Sequence, residues 1–145
     1  VSRRTIWTIG YEGHDGASLV EKLRKARVQR VVDVRELPLS RKPGFSKRGL
    51  ALGLQAAGIE YSHVRALGTP RAVRHAYKAG GGFDAFRAAY LAHVREHEDA
   101  VRALEALASV ERCCLLCVEA DHEACHRGVL AKDVLGRRGW RAVHL

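Results

Sequence analysis

A three-layer, Rossmann-like α/β fold, with a mainly parallel sheet of about five strands and helices on both faces, is the class this sequence predicts. Three observations lead there. Short runs of β-formers alternate with amphipathic helical stretches along the chain, the pattern of parallel strands joined by crossover helices. The run Arg112–Val118 is apolar at odd and even positions alike, as a strand buried on both faces must be. The chain has 145 residues, 47% of them apolar and 28% charged, enough for one ordinary core. Residues 1–145 therefore read as a single domain.

Each element follows from its own residues. Thr5–Ile9 alternates as a strand and stops at Gly10. In the next helix, Leu19, Val20, Leu23 and Ala26 share an apolar face. Its start fits a capping box at Ser18–Glu21, with Asp15 an equally good cap. Arg30–Val34 is the second strand. Pro38 and Pro43 exclude regular structure from residues 36–45. Ser46 is placed to cap a helix whose face is Leu50, Leu54 and Ala57 and which Gly58 ends. Ile59–Val64 is the third strand, Leu67–Arg71 a turn, and Gly80–Gly82 a flexible hinge or loop. Residues 83–108 are helical throughout, and the polar break Glu96–Asp99 predicts two helices. Arg112–Val118 is the most apolar strand, His126–Arg137 the last helix and Trp140–Leu145 the last strand.

Several classes of function are disfavoured. No apolar run nears the ~20 residues of a membrane span, so no membrane partner is expected. VSRRTIWTIG leads straight into a strand without a signal-peptide pattern. Four cysteines crowded between positions 113 and 125 do not resemble a disulfide framework. The expected location is cytoplasmic. The net charge is +9, and it is concentrated. Residues 35–78 hold nine basic residues against Glu36 and Glu60, so seven of the nine net charges fall there. Such a cluster attracts anions.

The residues that could carry chemistry fall after strand ends. In parallel α/β sheets that rim holds the ligand crevice, and Tyr11, Asp33, Arg35, Thr69, Glu119 and Cys125 are expected around it. The segment CVEADHEACHR, Cys117–Arg127, is the densest. Cys125 stands where a loop enters a helix, a setting that binds anions and lowers a thiol's pKa. His126 and Arg127 add charge beside it, making Cys125 a candidate nucleophile, anion ligand or redox thiol. Cys113 and Cys114 point to opposite apolar faces and read as core. Cys117 and Cys125 could form a redox pair. Zinc is a minority alternative, with Cys117, His122, Cys125 and His126 as ligands. Against it, the spacing is not a standard knuckle and two adjacent ligands crowd a tetrahedral site. Otherwise no cofactor is expected. Glu119 and Asp33 are candidate acid–base residues or ion-pair partners of Arg127 and Arg35. Ser40 and Arg41, in the proline-stiffened loop, and Arg71 could cradle a phosphate, and Tyr11 could stack on a base or cover the core. His14, His63, His75, His93, His97 and His144 read as surface or packing residues.

The motifs TIGYEG, DVRELPLSRKPGFSK, LGTPR and LLCVEADHEACHR together resemble the family known as Domain of Unknown Function 488. The resemblance spans almost the whole chain. It implies a compact α/β domain and signature residues at Gly10, Tyr11, Asp33, Arg35, Pro38, Ser40, Cys117, Glu119, Cys125, His126 and Arg127. It implies no settled reaction.

The expected function is an enzyme acting on a phosphate-bearing substrate, a nucleotide or nucleic acid. Arg35, Arg41, Arg71 and Arg127 would hold the anion, and Cys125, Glu119 or Asp33 would carry the chemistry. Two alternatives stand beside it. One is a non-catalytic nucleic-acid-binding or adaptor protein using the basic loops 35–78. The other is a thiol redox or metal sensor using Cys117 and Cys125.

Overall fold

The structure, a computed structural model, describes residues 4–145. The first three residues of the VSRRTIWTIG reading lie outside it. Five strands, β1 (Thr5–Gly10), β2 (Arg30–Asp33), β3 (Glu60–His63), β4 (Cys113–Cys117) and β5 (Arg141–His144), form one sheet in the order β3-β2-β4-β1-β5. Every neighbouring pair is parallel. The helices are α1 (Gly16–Lys25), α2 (Lys47–Ala56), α3 (Arg71–Lys78), α4 (Phe83–Arg95), α5 (Glu98–Val110) and α6 (His126–Val129). The last continues as a π-helical stretch, Leu130–Leu135, and a 3-10 turn, Gly136–Arg138. The three-layer α/β class is as the sequence predicts. No helix among the described residues is long and apolar enough to cross a membrane.

The two apolar faces of β4 sort the helices. Cys114 and Leu116 pack with Leu19, Leu23, Leu50 and Leu54 of α1 and α2. Cys113 and Leu115 pack with Tyr90, Val94, Val101 and Leu104 of α4 and α5, and with Val129 to Leu135 beyond β4. Cys113 and Cys114 are both fully buried, as the alternation in the sequence requires.

Chain crossings alternate in direction across the sheet. After β1 and β2 the chain passes to the α1/α2 layer, and after β3 and β4 to the other. A crevice can therefore open beyond the carboxyl ends between β3 and β2, β2 and β4, or β4 and β1. Two of the three are closed by backbone. Tyr11 N–H donates to the Cys117 carbonyl at 3.0 Å and Glu12 N–H to that of Val118 at 2.9 Å. This extends the β1–β4 ladder and lays Glu119 across Gly10. A Cβ on Gly10 would lie 1.7 Å from the Glu119 carbonyl oxygen. On the other side a Cβ on Gly68 would lie 2.3 Å from the Glu36 nitrogen, so the Leu67–Arg71 turn seals β3 against β2. The β2/β4 crevice is the one left open.

Three local readings change and one holds. Asp15, not Ser18, caps α1, and Ser18 sits at the third helical position of that capping box. Ser46 occupies the cap position of α2 but its hydroxyl makes no cap bond. It ties the proline loop instead, accepting from Ser40 N–H at 2.9 Å and donating to the Ser40 carbonyl at 3.1 Å. The turn at residues 67–71 runs into a helix, α3, that the sequence reading lacks. The predicted break does split residues 83–108, into α4 and α5.

Candidate functional site

The open crevice is a cleft of about 510 Å³. Its walls come from the segment after β2 (Arg35–Leu37, Leu39), from Thr69, from α3 (Arg74, Tyr77, Lys78) and from Phe86 of α4. Its floor is the β4 exit, with Cys117, Glu119 and His126. The size suits a small-molecule ligand. The walls are largely apolar, and Leu37, Leu39 and Val118 stand exposed among them. Tyr77 and Phe86 stack at 4.5 Å between ring centroids.

At the floor, two sulfurs and one imidazole converge. The nearest ligating atoms of Cys117, Cys125 and His126 all lie within 4.8 Å of one another, and all three residues are buried. His126 Nε2 is 2.6 Å from the Val34 carbonyl oxygen. A carbonyl only accepts, so Nε2 carries the proton and the lone pair of the neutral ring sits on Nδ1. Nδ1 lies 3.6 Å from Cys117 Sγ and 3.9 Å from Cys125 Sγ. The neighbouring Cys117 thiol, then His126 and the Arg127 backbone N–H, hold the Cys125 thiol well below its ordinary range against the opposing effect of burial. Cys117 is pushed well above that range by Cys125, then by burial and Glu119. Of the two, Cys125 is the more acidic thiol and Cys117 the less acidic. Burial would lower His126, but its hydrogen bond with Cys125 and the charge there outweigh it and the imidazole is raised. Glu119 approaches Cys117 Sγ at 3.8 Å and is raised by burial and by Cys125.

The buried arginines brace the site from behind. Arg35 donates through Nε and Nη2 to the two Asp33 oxygens at 2.9 and 2.7 Å, and through Nη1 to the Phe45 carbonyl at 2.7 Å and the Tyr11 hydroxyl at 3.4 Å. Burial works against its charge, but Asp33 outweighs it and the pKa is raised. Tyr61 donates to Asp33 Oδ2 at 2.5 Å. Asp33 is fully buried with both oxygens engaged. Tyr11 is buried too, its ring stacked on Phe45 at 4.7 Å. Arg127 donates to the Glu119 carbonyl at 2.6 Å and the Ala120 carbonyl at 3.2 Å, so it fixes the backbone that carries Glu119. Its Nε is buried without a partner.

Of the expected site residues, Arg35, Thr69, Glu119 and His126 border the cleft. Cys125, Tyr11, Asp33 and Arg127 lie buried around it. Ser40, Arg41 and Arg71 do not line it; Ser40 is knotted to Ser46, and Arg41 and Arg71 are exposed. His122 is not with the two cysteines: its ring stacks on His144 at 3.4 Å. The sequence reading missed Tyr77, Phe86, Leu37 and Leu39. The pairs Val73–Tyr77 and Arg74–Lys78, each at helical spacing, carried the signal for α3 and its inward face.

Residues 17–134 match the model of a family described as a domain of unknown function, DUF488. The chain belongs to the DUF488 family. The match begins after the Gly10–Gly13 turn and ends within the π-helical stretch. It takes in every cleft-lining residue of this DUF488 chain. No curated protein and no solved structure matches it.

Proposed function

We propose that the protein is an enzyme acting on a small phosphate-bearing substrate, of nucleotide size, bound in the β2/β4 cleft. The observation that carries this reading is the convergence of Cys117, Cys125 and His126 with Glu119 at the floor of a ligand-sized cleft. Buried titratable groups that share protons in a cleft are the usual setting of catalysis. Thr69 supports the anion part. Its hydroxyl is buried, has no partner and borders the cleft, so it has a hydrogen bond to give. Lys78 forms no ion pair among the described residues, and Arg74 is shared with Glu36 at 2.5 Å. Tyr77, Phe86 and the two leucines offer an apolar wall to a base or similar group.

In this reading Glu119 is the general acid–base residue, since burial keeps it protonated at higher pH than an ordinary carboxyl. Cys117 faces the substrate's reacting end, with His126 beside it and Cys125 behind. Asp33, Arg35 and Arg127 position the floor. Thermal-shift titration with a panel of nucleotides and sugar phosphates tests it. At least one compound is expected to stabilise the protein, and Thr69→Val with Lys78→Ala to weaken that compound's binding about tenfold or more. Glu119→Gln is expected to cost roughly 10²–10⁴ in its turnover. No stabilisation by any phosphorylated compound would overturn the reading.

A second reading, a nucleic-acid binder, rests on a different observation. Arg41, Lys47, Arg48, Arg65 and Arg71 are exposed and form no ion pairs among the described residues. Its test is a salt titration of single- and double-stranded DNA and RNA binding, where each phosphate contact adds about one unit of log–log slope.

A further inference from the structure

We infer that Cys117, Cys125 and His126 form a zinc site whose fourth position opens into the cleft. Four features support it. The first is distance. With Zn–S near 2.3 Å and Zn–N near 2.0–2.1 Å, a tetrahedral ion sets its S···N edges at about 3.6 Å and its S···S edge at about 3.8 Å. The two S···Nδ1 separations are 3.6 and 3.9 Å, and the sulfurs lie within 4.8 Å of one another.

The second is orientation. The Val34 carbonyl holds the Nε2 proton and turns the Nδ1 lone pair toward both sulfurs. Metal-bound histidines are held in this way, by an outer hydrogen bond on the nitrogen that does not ligate. The crowding of two adjacent ligands is relieved in the backbone. Cys125 is extended, with φ −134° and ψ 148°, while His126 opens α6. The two side chains leave different conformations, and the short reach through Nδ1 brings them to one point.

The third is charge. Two thiols and an imidazole in a buried pocket can carry only one thiolate cheaply, because an uncompensated buried charge is costly. A divalent ion takes both thiolates to neutrality and releases their protons to solvent. Sulfur and imidazole donors select zinc over magnesium or calcium. The fourth is access. Cys117 and His126 border the cleft with Glu119 beside them. Three protein ligands and one open position form the arrangement of a catalytic site, whereas structural zinc sites are closed by four.

The inference stands apart from the identity of the substrate. The test uses the whole chain, purified under reducing, oxygen-free conditions. Metal content is measured by mass spectrometry. The stripped protein is then titrated with Co²⁺ as a spectroscopic stand-in. One zinc per chain, or a stoichiometric thiolate-to-cobalt charge-transfer band with four-coordinate ligand-field bands, is the expected result. Cys117→Ser, Cys125→Ser and His126→Gln should each weaken Co²⁺ binding at least about 100-fold, the upper end of what losing an outer-shell partner costs. Cys114→Ala, on the opposite face of β4, should keep the band. Circular dichroism shows that each variant is folded, and the wild-type spectrum needs no variant at all. Three results would overturn the inference: no charge-transfer band at saturating cobalt, a band that survives both serine variants, or a Cys117–Cys125 disulfide in the metal-free protein as purified. Cobalt binding without any phosphorylated ligand would uphold the metal and sink the proposed substrate. The reverse pair of results would do the opposite.

Discussion

Gly10→Ala is the substitution that most directly tests how the crevice is made. Gly10 has no left-handed φ, so an alanine there meets no backbone strain. The cost is contact. Its Cβ would stand 1.7 Å from the Glu119 carbonyl oxygen, 2.4 Å from the carbonyl carbon and 2.9 Å from Ala120 Cα. Ordinary contact needs the 119–120 backbone to retreat by about 1.5 Å or more, and this segment is fastened. Tyr11 N–H and Glu12 N–H hold the Cys117 and Val118 carbonyls, Ala120 N–H donates to Glu12 Oε1 at 3.2 Å, and Arg127 holds the Glu119 carbonyl. Losing three such bonds at about 1 kcal/mol each, one of them from a charged donor and worth more, costs roughly 3–5 kcal/mol. At about 2–4 °C per kcal/mol for a chain of this size, Tm should fall by about 10 °C. Hydrogen exchange at Tyr11 and Glu12 should accelerate together. Gly13→Ala is the control. It has φ +84° and no neighbour within 4 Å, so only backbone strain of about 1–2 kcal/mol applies. If Gly10→Ala melts within about 2 °C of wild type, or costs less than Gly13→Ala, backbone closure of the β1/β4 crevice is refuted.

Three further outcomes are expected. Asp33→Asn leaves the Arg35 charge buried with half its partner gone, so urea unfolding should show a loss of about 3–5 kcal/mol; a loss below about 1 kcal/mol would mean that Arg35 is not held as described. In reduced, metal-free protein, iodoacetamide should modify Cys125, whose pKa is lowered, ahead of Cys117, whose pKa is raised; the two are 1% and 3% exposed, so the thiolate population decides the order. Cys113 and Cys114, whose thiols burial pushes up, should stay unlabelled until unfolding, and peptide mapping that finds either labelled first would reverse this order. His144 is held below its ordinary 6.5, at about 4, by burial, then by His122 and Arg127; the unfolded chain therefore takes up the proton first, stability falls as pH drops from 6.5 toward 4, and His144→Gln should flatten that slope in urea titrations.

The layers and strands were legible because their signals are local. β4 is apolar on both faces, and the α1 and α2 stripes repeat at helical spacing. What was not legible is long-range. α3 was passed over because Gly68, Pro70 and the glycines at 80–82 read as punctuation around a short polar segment, and only packing shows that Tyr77 and Phe86 meet. Asp15 and Ser18 form one capping box that the sequence offers as two rival caps. The cysteines divide as the strand alternation says, but the partner of Nδ1 is fixed by the Val34 carbonyl, which no spacing rule reveals. His122 looked as good a ligand as His126 in a linear segment; the 3-10 turn at residues 122–124 takes it to His144 instead.

The same distinction governs the arginines. A count of charges treats Arg35 and Arg127 as available to an anion, yet both spend their donors on the protein, Arg127 all but its Nε. Arg35 engages Asp33 in a fork, and Arg127 holds two loop carbonyls. Guanidinium groups suit such bracing because they stay charged when buried and donate in fixed directions. The cleft is left with Lys78, with Arg74 shared by Glu36, and with the Thr69 hydroxyl. That is a weak field for a phosphate, and a Cys125 thiolate at the floor would oppose it. Zinc at the Cys117–Cys125–His126 site would remove that opposing charge by neutralising both thiolates, and would leave an electrophilic position beside Glu119. The two proposals therefore support each other physically, and both start from the convergence of Cys117, Cys125 and His126. A phosphate-bearing ligand should bind the zinc-loaded protein more tightly than the stripped one. Calorimetric titration of one nucleotide into both forms decides it, and equal affinities would show that the thiolate does not face the bound anion.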